Sequence, residues 1–290
     1  MSQLSPSELV LNPDGSIYHL HLRPEHIADT ILTVGDPNRV PLVSQYFDQL
    51  EFEISKREFI THTGWLGNKR LTVISTGIGT DNIDIVLNEL DALVNIDLKN
   101  REIRPQKKQL NFIRVGTTGG LQSRHSVGTM ISSAMTIGLD NLLHYYPYQA
   151  EERAVKLEQA FTAGFPDLPT TVYTASPDLS LLQRITGDWA RGITLSAPGF
   201  YAPQGRSLRL GSRLSPQLLD AFARFKFEDL NITNYEMETS ALFGLSHMLG
   251  HRATSCSVIL ANRADGTFSA DPGGDVDRLI RTVLDAVMML

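Results

Sequence analysis

Cysteine and long apolar runs are both scarce in this sequence of 290 residues, and each scarcity excludes a class of protein. The single cysteine, Cys256, excludes an internal disulfide framework and leaves too few thiols for a structural zinc site, which fits a reducing cytoplasm. No apolar run approaches the roughly 18 to 20 residues of a membrane span. The opening segment also lacks the basic and apolar regions of an export signal. We therefore expect a cytoplasmic protein with no membrane partner.

Concentrated positive charge is lacking as well, since the formal net charge is −6. Nucleic acids and anionic membranes are bound by clustered Lys and Arg, so neither is an expected partner. The arginines that are present need a more local explanation. The chain shows no repeat, low-complexity tract or linker, and 42% of its residues are hydrophobic. We therefore expect one domain, residues 1–290, with an ample core.

Short runs rich in Ile, Val and Thr alternate with longer stretches of helical periodicity. The runs at 30–35, 70–76, 111–116 and 254–261 predict buried strands, and the stretches at 81–99, 216–227, 236–249 and 275–290 predict helices. This alternation indicates an α/β fold with a largely parallel central sheet.

Two segments have a less regular pattern. The charged segment 100–110 indicates a solvated loop or helix extension. Frequent Gly, Pro and Ser make 160–215 the place where we expect a lid over the substrate.

Three predicted strands end in glycines and polar residues. These ends are Gly35-Asp36-Pro37-Asn38-Arg39, Thr76-Gly77-Ile78-Gly79-Thr80 and Arg114-Val115-Gly116-Thr117-Thr118-Gly119-Gly120. A tight turn explains any one of them alone, but ligands of α/β sheets bind at this edge, and glycine amides with arginine suit phosphate. The third glycine of a dinucleotide fingerprint is replaced by Asn82, and no Walker A motif is present. The expected ligand is therefore free phosphate or a small ester.

Two glutamates, Glu236 and Glu238, flank Met237 where an apolar helical pattern begins. Thr233-x-x-Glu236 matches a capping box, in which Glu236 accepts an amide of its own helix. The positive end of the helix would stabilise both carboxylates. The capping box leaves Glu238 unexplained.

Six ordered motifs resemble the nucleoside phosphorylase-I family, most closely its uridine phosphorylases. They are VGDPNR (34–39), SKREF (55–59), ISTGIGTDN (74–82), IRVGTTGG (113–120), FYAPQGR (200–206) and NYEMETSAL (234–242). The resemblance extends from about Tyr18 to Arg263. It implies an α/β fold with a mixed, partly barrelled central sheet flanked by helices. It also implies a homo-oligomer, dimer or hexamer, whose subunits share active sites.

By this resemblance, phosphate is bound by Gly35, Arg39, Arg114 and Thr117, with Arg57 reaching in from the adjacent subunit. His19, also from the neighbour, would contact the ribose 5′-hydroxyl. Without the family, Arg57 is simply a surface charge. His19 and His21 would then be a pair on an edge strand, with only a weak metal-site alternative because no third ligand is evident.

The resemblance also assigns residues to the nucleoside. Glu238 would accept hydrogen bonds from the ribose 2′- and 3′-hydroxyls, Glu236 would assist, and Met237 would pack against the sugar. The residues bordering sugar and base would be Thr118, Gly119, Phe200, Leu260 and Ala261. Gln204 and Arg206 offer amide and guanidinium groups that complement the imide edge of uracil, and the family uses this pair to recognise uracil.

Two departures from relatives narrow the prediction. Purine-cleaving relatives carry an aspartate where Arg263 follows Asn262 here, and arginine, with a pKa above about 12, is a poor proton donor. Purine cleavage by that route is therefore disfavoured. Some relatives bind a monovalent cation through positions matching Glu58, Ile78 and a serine that Asn82 replaces. We therefore expect no metal and no cofactor, with inorganic phosphate as co-substrate.

These features together predict reversible phosphorolysis of uridine to uracil and ribose 1-phosphate. Bound phosphate would attack the anomeric carbon, and the rim of the site would stabilise the departing uracil anion. The expected catalytic residues are Arg39, Arg114, Arg206 and Glu238. Two alternatives stay open: a phosphorylase or nucleosidase acting on another nucleoside, and a non-catalytic sensor of nucleoside or phosphate.

Overall fold

A computed structural model describes residues 3–290, which form fourteen strands and seven α-helices. The strands are β1 (Thr30–Val34), β2 (Gln49–Lys56), β3 (Phe59–Leu66), β4 (Lys69–Ser75), β5 (Ile96–Asp97), β6 (Glu102–Ile103), β7 (Asn111–Gly120), β8 (Met130–Gly138), β9 (Tyr173–Ala175), β10 (Ala190–Ser196), β11 (Lys226–Phe227), β12 (Leu230–Glu236), β13 (Arg252–Asn262) and β14 (Thr267–Phe268). The helices are α1 (Arg39–Ser44), α2 (Thr80–Asn95), α3 (Glu152–Gly164), α4 (Leu179–Thr186), α5 (Pro216–Arg224), α6 (Thr239–Leu249) and α7 (Pro272–Met288). None of these helices is long and apolar enough to cross a membrane.

Five strands close into a barrel. β7 pairs with β13, β13 with β8, β8 with β10, and β10 with β12. The ring closes where Asn234 and Tyr235 of β12 pair antiparallel with Gly120 and Gly119 of β7. Beyond β7 the sheet continues through β1, β4, β3 and β2. The mixed, partly barrelled sheet implied by the resemblance is therefore confirmed.

The four strands predicted from apolar runs are present as β1, β4, β7 and β13. β1 lies between β4 and β7 and is parallel to both, and β7 is parallel to β13. Their side chains are buried on both faces, because one apolar cluster includes Ile31 with Leu87 of α2 and another includes Leu32 with Val283 of α7. Burial on both faces explains why these strands are continuous apolar runs.

Two helices are shorter than predicted, because residues expected at one end of each lie in or beside a neighbouring strand. The helix expected over 236–249 begins at Thr239, because Glu236 is the last residue of β12. The helix expected over 81–99 ends at Asn95, because β5 begins there and pairs with β6. The charged segment 100–110 is therefore in part a short hairpin rather than a loop.

The segment 160–215 is more regular than its composition indicates, because the end of α3, β9, α4 and β10 lie within 160–196. The lid expected in this segment stays a prediction. One other prediction was wrong. The expected edge-strand pair of His19 and His21 is a turn, in which His21 has a φ of +57°. His19 is held there by Glu89 of α2, whose Oε1 lies 2.6 Å from its Nδ1.

Candidate active site

The residues that follow β1 and β4 and those at the ends of β7 and β12 line one cavity of about 810 Å³. The predicted site residues that line it are Gly35, Arg39, Arg114, Thr117, Thr118, Gly119, Phe200, Gln204, Arg206, Glu236, Met237, Glu238, Leu260 and Ala261. Segments far apart in sequence meet here because parallel strands end at a common edge.

His19 and Arg57 do not line this cavity. Both lie close to Tyr18, whose ring centre is 4.8 Å from that of His19 and 5.9 Å from the Arg57 guanidinium carbon. Arg57 sits in the turn between β2 and β3 with a φ of +56°. The chain's own pocket therefore lacks the two residues that the resemblance assigned to a neighbouring subunit.

Arg114 is buried in the pocket, and the space for its guanidinium comes from a glycine. A Cβ on Gly116 would lie 1.9 Å from Arg114 Nη1, so any side chain at this position would displace the guanidinium. Nη1 donates to Ser257 Oγ at 3.3 Å, and Nη2 donates to Glu238 Oε2 at 2.5 Å. Burial by itself lowers the pKa of Arg114, but Glu238 and Glu236 together raise that pKa above its ordinary value. The guanidinium is therefore held in its charged form.

Arg39, at the start of α1, brings a second, partly buried guanidinium to the cavity. Its Nη1 donates to the carbonyl oxygen of Val115 at 3.2 Å. Burial and the charge of Arg114 lower the pKa of Arg39. Because arginine remains protonated in proteins, two cations face each other, and an anion bound between them would turn that repulsion into attraction.

Glu238 precedes α6 as its N-cap residue, and its carboxylate faces the cavity. Oε1 accepts the backbone N–H of Gly79 at 2.9 Å, and Oε2 accepts from Arg114. Gly79 has a φ of +98°, a conformation that favours glycine, and this turns its amide toward the carboxylate. Burial raises the pKa of Glu238, and the Arg114 guanidinium opposes that rise.

Glu236 makes more hydrogen bonds than Glu238. Its Oε2 accepts the backbone N–H groups of Glu238 and Thr239, both at 2.9 Å, and the Thr239 hydroxyl at 2.8 Å. Ser196 Oγ donates to its Oε1. Glu236 thus caps α6 as expected, but the predicted capping box is wrong. Thr233 lies in β12, where its hydroxyl donates to Asn234 Oδ1 at 2.8 Å.

Phe200, Gln204 and Arg206 lie on the segment after β10, which includes a 3₁₀ turn at Ala202–Gln204. Arg206 Nη1 donates to Gln204 Oε1 at 2.6 Å and to the Phe200 carbonyl at 2.7 Å. The guanidinium carbon of Arg206 stands 3.8 Å from the centre of the Phe200 ring, in cation–π contact. Burial and the charge of Arg263 lower the pKa of Arg206. The segment thus presents amide, guanidinium and aromatic groups as one unit.

Sequence reasoning missed several residues of the site. Tyr235 and Phe268 are two of them, and both line the cavity. Asp36, Pro37 and Gly77, which belong to the strand ends predicted to bind an anion, line it too. Arg263, considered only as a replacement for aspartate, donates from Nη1 to the Gln204 carbonyl. Tyr235 lies inside one of the six motifs. Phe268 lies in none of them and reaches the cavity because the short strand β14 folds back to pair with Ala261 of β13.

The three positions compared with a cation site also line the cavity. They are Glu58, Ile78 and Asn82, and Asn82 Nδ2 lies 3.5 Å from the Ile78 carbonyl oxygen. Across residues 3–290, no group of three or more His, Cys, Asp and Glu side chains has the arrangement of a metal site. The absence of a cofactor stays a prediction.

A barrel whose edge carries one buried and one partly buried arginine, a carboxylate and an amide–arginine pair defines a site for an anion beside a small polar molecule. Comparison with known proteins then identifies the family. The model of the phosphorylase superfamily matches residues 29–287, and the chain belongs to that superfamily.

Individual relatives agree with this family. A uridine phosphorylase of Thermococcus kodakarensis is 30% identical over 258 residues, covering 88% of this chain and 80% of the relative. A DeoD-type purine nucleoside phosphorylase of Listeria monocytogenes is 27% identical, with 81% and 82% covered. A solved nucleoside phosphorylase of Trypanosoma brucei, which shows uridine phosphorylase activity, has a TM-score of 0.88 and 27% identity, covering 97% of this chain and 100% of that one.

Proposed function

We propose that this protein is a pentosyltransferase that catalyses the reversible phosphorolysis of uridine to uracil and ribose 1-phosphate. The observation that carries the proposal is that two neighbouring arginines, Arg114 buried and Arg39 partly buried, line the same cavity as an amide–arginine pair. The uridine phosphorylases among the relatives support the same activity.

Phosphate binds at Arg39 and Arg114, with Gly35 and Thr117 beside them in the cavity. Guanidinium groups bind phosphate oxygens through charge-assisted hydrogen bonds. The bound anion also offsets the repulsion between the two arginines. Phosphate then lies beneath the sugar, where it stabilises positive charge on the ribose ring and attacks the anomeric carbon without a covalent enzyme intermediate.

Glu238 holds the ribose. Its carboxylate accepts from Gly79 and Arg114, and a carboxylate has about four lone-pair sites, so it retains capacity for the 2′- and 3′-hydroxyls. Met237 packs against the sugar, and Thr118 and Gly119 border sugar and base. Holding the reacting atoms near attack distance lowers the barrier by several kcal/mol.

Gln204 and Arg206 recognise uracil. The imide edge of uracil presents two carbonyl acceptors around one N–H donor, and an amide with a guanidinium supplies the matching groups. Negative charge develops on uracil as the glycosidic bond breaks, and the Arg206 cation stabilises it. Phe200 stacks on the base, and Leu260 and Ala261 form an apolar wall beside it.

The proposal includes a cytoplasmic homo-oligomer with shared active sites. It is supported by the position of His19 and Arg57, which both lie close to Tyr18 but outside the cavity of their own chain. Mixing Arg57→Ala subunits with Arg114→Ala subunits tests it. If sites are shared, mixed oligomers contain one site with both arginines intact, and activity returns. No recovery after verified subunit exchange would mean that each chain has its own complete site.

The activity itself is tested by uracil release from uridine with and without phosphate, with inosine and thymidine run in parallel. We expect release from uridine that depends on phosphate, and none from inosine. Release without phosphate would identify a nucleosidase. Nucleoside binding without any release would identify a sensor.

A further inference from the structure

The two glutamates around Met237 differ in how much of their hydrogen-bonding capacity the protein already uses. We propose that Glu236 and Ser196 are positioning residues that act through Glu238, and that Glu236 does not bind the sugar. This inference rests on the proposed function, and it departs from the expectation that Glu236 assists in ribose binding.

Glu236 has little capacity left for a ribose hydroxyl. An ionised carboxylate offers about four lone-pair sites, two on each oxygen. Oε2 already accepts three hydrogen bonds, from the backbone N–H groups of Glu238 and Thr239 and from the Thr239 hydroxyl, and Arg114 Nη2 is also 3.4 Å away. Oε1 accepts the Ser196 hydroxyl, and the whole Glu236 side chain is only 2% exposed. Glu238 accepts two hydrogen bonds from the protein and therefore has more capacity for the sugar.

Ser196 completes the same arrangement from the neighbouring strand. It ends β10 and is the register partner of Glu236 on β12. Its hydroxyl donates to Glu236 and accepts the backbone N–H of Ser240 at 3.0 Å. Together, Ser196 and Glu236 therefore bind three consecutive backbone amides, those of Glu238, Thr239 and Ser240.

The arrangement is anchored deeper in the protein. Ser240 Oγ donates to Asp140 Oδ2 at 2.8 Å, and the Tyr173 hydroxyl donates to the same carboxylate at 2.6 and 2.8 Å. Hydrogen bonds thus run without a break from Asp140 to the backbone of Glu238. The backbone that carries Glu238 is thereby fixed where β12 passes into α6.

This geometry has a consequence for catalysis. The Glu238 carboxylate must face the ribose while it also binds Arg114 and Gly79. A displacement of about 1 Å in a positioned group can lower a rate by about 10²-fold. A more mobile Glu238 backbone would therefore position the carboxylate less well and lower the rate. This loss of rate should vanish when the Glu238 side chain is removed.

A double-mutant cycle tests this. Ser196→Ala and Glu236→Gln are made in the unchanged protein and in Glu238→Ala, and kcat/KM for uridine is measured at saturating phosphate. We expect each to lower kcat/KM by about 10- to 100-fold in the unchanged protein. In the Glu238→Ala background we expect a change below about twofold, because coupled residues are not additive. Equal losses in both backgrounds would overturn the inference, since Glu236 would then contact substrate independently.

Ser133→Ala is the matched control. It removes a buried hydroxyl from β8 of the same barrel, where Ser133 Oγ lies 2.6 Å from Thr194 Oγ1 and makes no hydrogen bond with Glu236. We expect its kcat/KM to stay within about twofold of the unchanged protein, because it lies outside the coupled set. A loss as large as that of Ser196→Ala would mean general damage to the barrel and would overturn the inference.

Folding and the proposed function are controlled separately. Glu236→Gln keeps a side-chain oxygen that can accept from the helix amides. It can therefore complete the double-mutant cycle with Glu238→Ala if Ser196→Ala does not fold. If the unchanged protein shows no phosphate-dependent uracil release, the proposed function fails. If that release is present but the cycle is additive, only this inference fails.

Discussion

The two halves of the cavity are built differently. We call Arg39, Arg114, Glu236 and Glu238 the floor, and Phe200, Gln204 and Arg206 the rim. The floor lies on β7, at the end of β12 and at the starts of α1 and α6, and its arginine–carboxylate contacts join β7 to the start of α6. The rim lies on one irregular segment, in which Gln204 is buried but Phe200 is 51% exposed. We therefore expect the floor to contribute to the fold as well as to ligand binding, and the rim to contribute mainly to binding.

Electrostatics makes the same distinction. Removing one partner of a buried ion pair leaves the other charge without compensation and costs about 3–5 kcal/mol of stability. A partly exposed charge loses much less, because water replaces its partner. Substitutions in the floor should therefore change stability and activity together, and substitutions in the rim should change activity alone.

Arg114→Met should give the largest effect. It leaves Glu238 and Glu236 buried beside no cation, so we expect about 3–5 kcal/mol lower unfolding free energy. It also removes a proposed phosphate donor, and we expect kcat/KM to fall by at least about 10³-fold. Urea unfolding and the uracil-release assay measure the two effects.

Arg114→Lys is the control for charge. Because it keeps a cation, much of the stability should return. Activity should stay low, since an ammonium lacks the fork of donors that reaches Ser257 and Glu238 together. Full stability in Arg114→Met would mean that the floor is no more integral to the fold than the rim.

Arg206→Ala should give an intermediate effect confined to function. It removes the cation that stabilises uracil, so we expect a fall in turnover of about 10²- to 10³-fold with phosphate binding retained. We expect the unfolding free energy to change by less than about 1 kcal/mol, since Arg206 is half-buried on a short segment. Arg213→Ala, an exposed arginine of the same connection that does not line the cavity, is the control. A normal rate in Arg206→Ala would remove the rim from the mechanism.

Strands with apolar residues on both faces were predictable from the sequence, and strands with hydroxyls inside the barrel were not. β1, β4, β7 and β13 were predicted because apolar residues cover both of their faces. β8, β10 and β12 were not predicted, because hydroxyls such as Ser133, Thr136 and Thr194 replace apolar residues inside the barrel. These hydroxyls satisfy one another, as Ser133 and Thr194 do at 2.6 Å. Such hydroxyl pairs form only when the barrel closes, so no local sequence pattern predicts these strands.

A residue's place in the cavity was predictable where that residue follows a strand. Gly35 and Arg39, which follow β1, are examples, because a strand end is itself a local feature. Arg114 was expected at a strand end but lies within β7. The different parts played by Glu236 and Glu238 were not predictable, because both stand in one motif and differ only in the partners that surround them. The space that Gly116 leaves for the Arg114 guanidinium was likewise not predictable, because only the folded chain brings that side chain back over the glycine.

Arg263→Ala should give the smallest effect and tests how the rim is attached to the barrel. Arg263 follows β13 and donates to the Gln204 carbonyl, 59 residues away in the chain. A hydrogen bond to a charged group contributes about 1.5–3 kcal/mol, and part of this should appear as a fall of about tenfold in kcat/KM for uridine. Thermal unfolding should change little, because the contact joins a partly exposed segment to an already paired strand.

Arg278→Ala is the matched control, since Arg278 also donates to a backbone carbonyl, that of Gly128, but lies outside the cavity. It should leave the kinetics of uridine cleavage unchanged. If Arg263→Ala behaves like Arg278→Ala, the rim orients Gln204 through its own Arg206 contact. If Arg263→Ala instead lowers activity and stability together, as floor substitutions should, then Gln204 contributes to the stability of the fold in the same way as the floor residues.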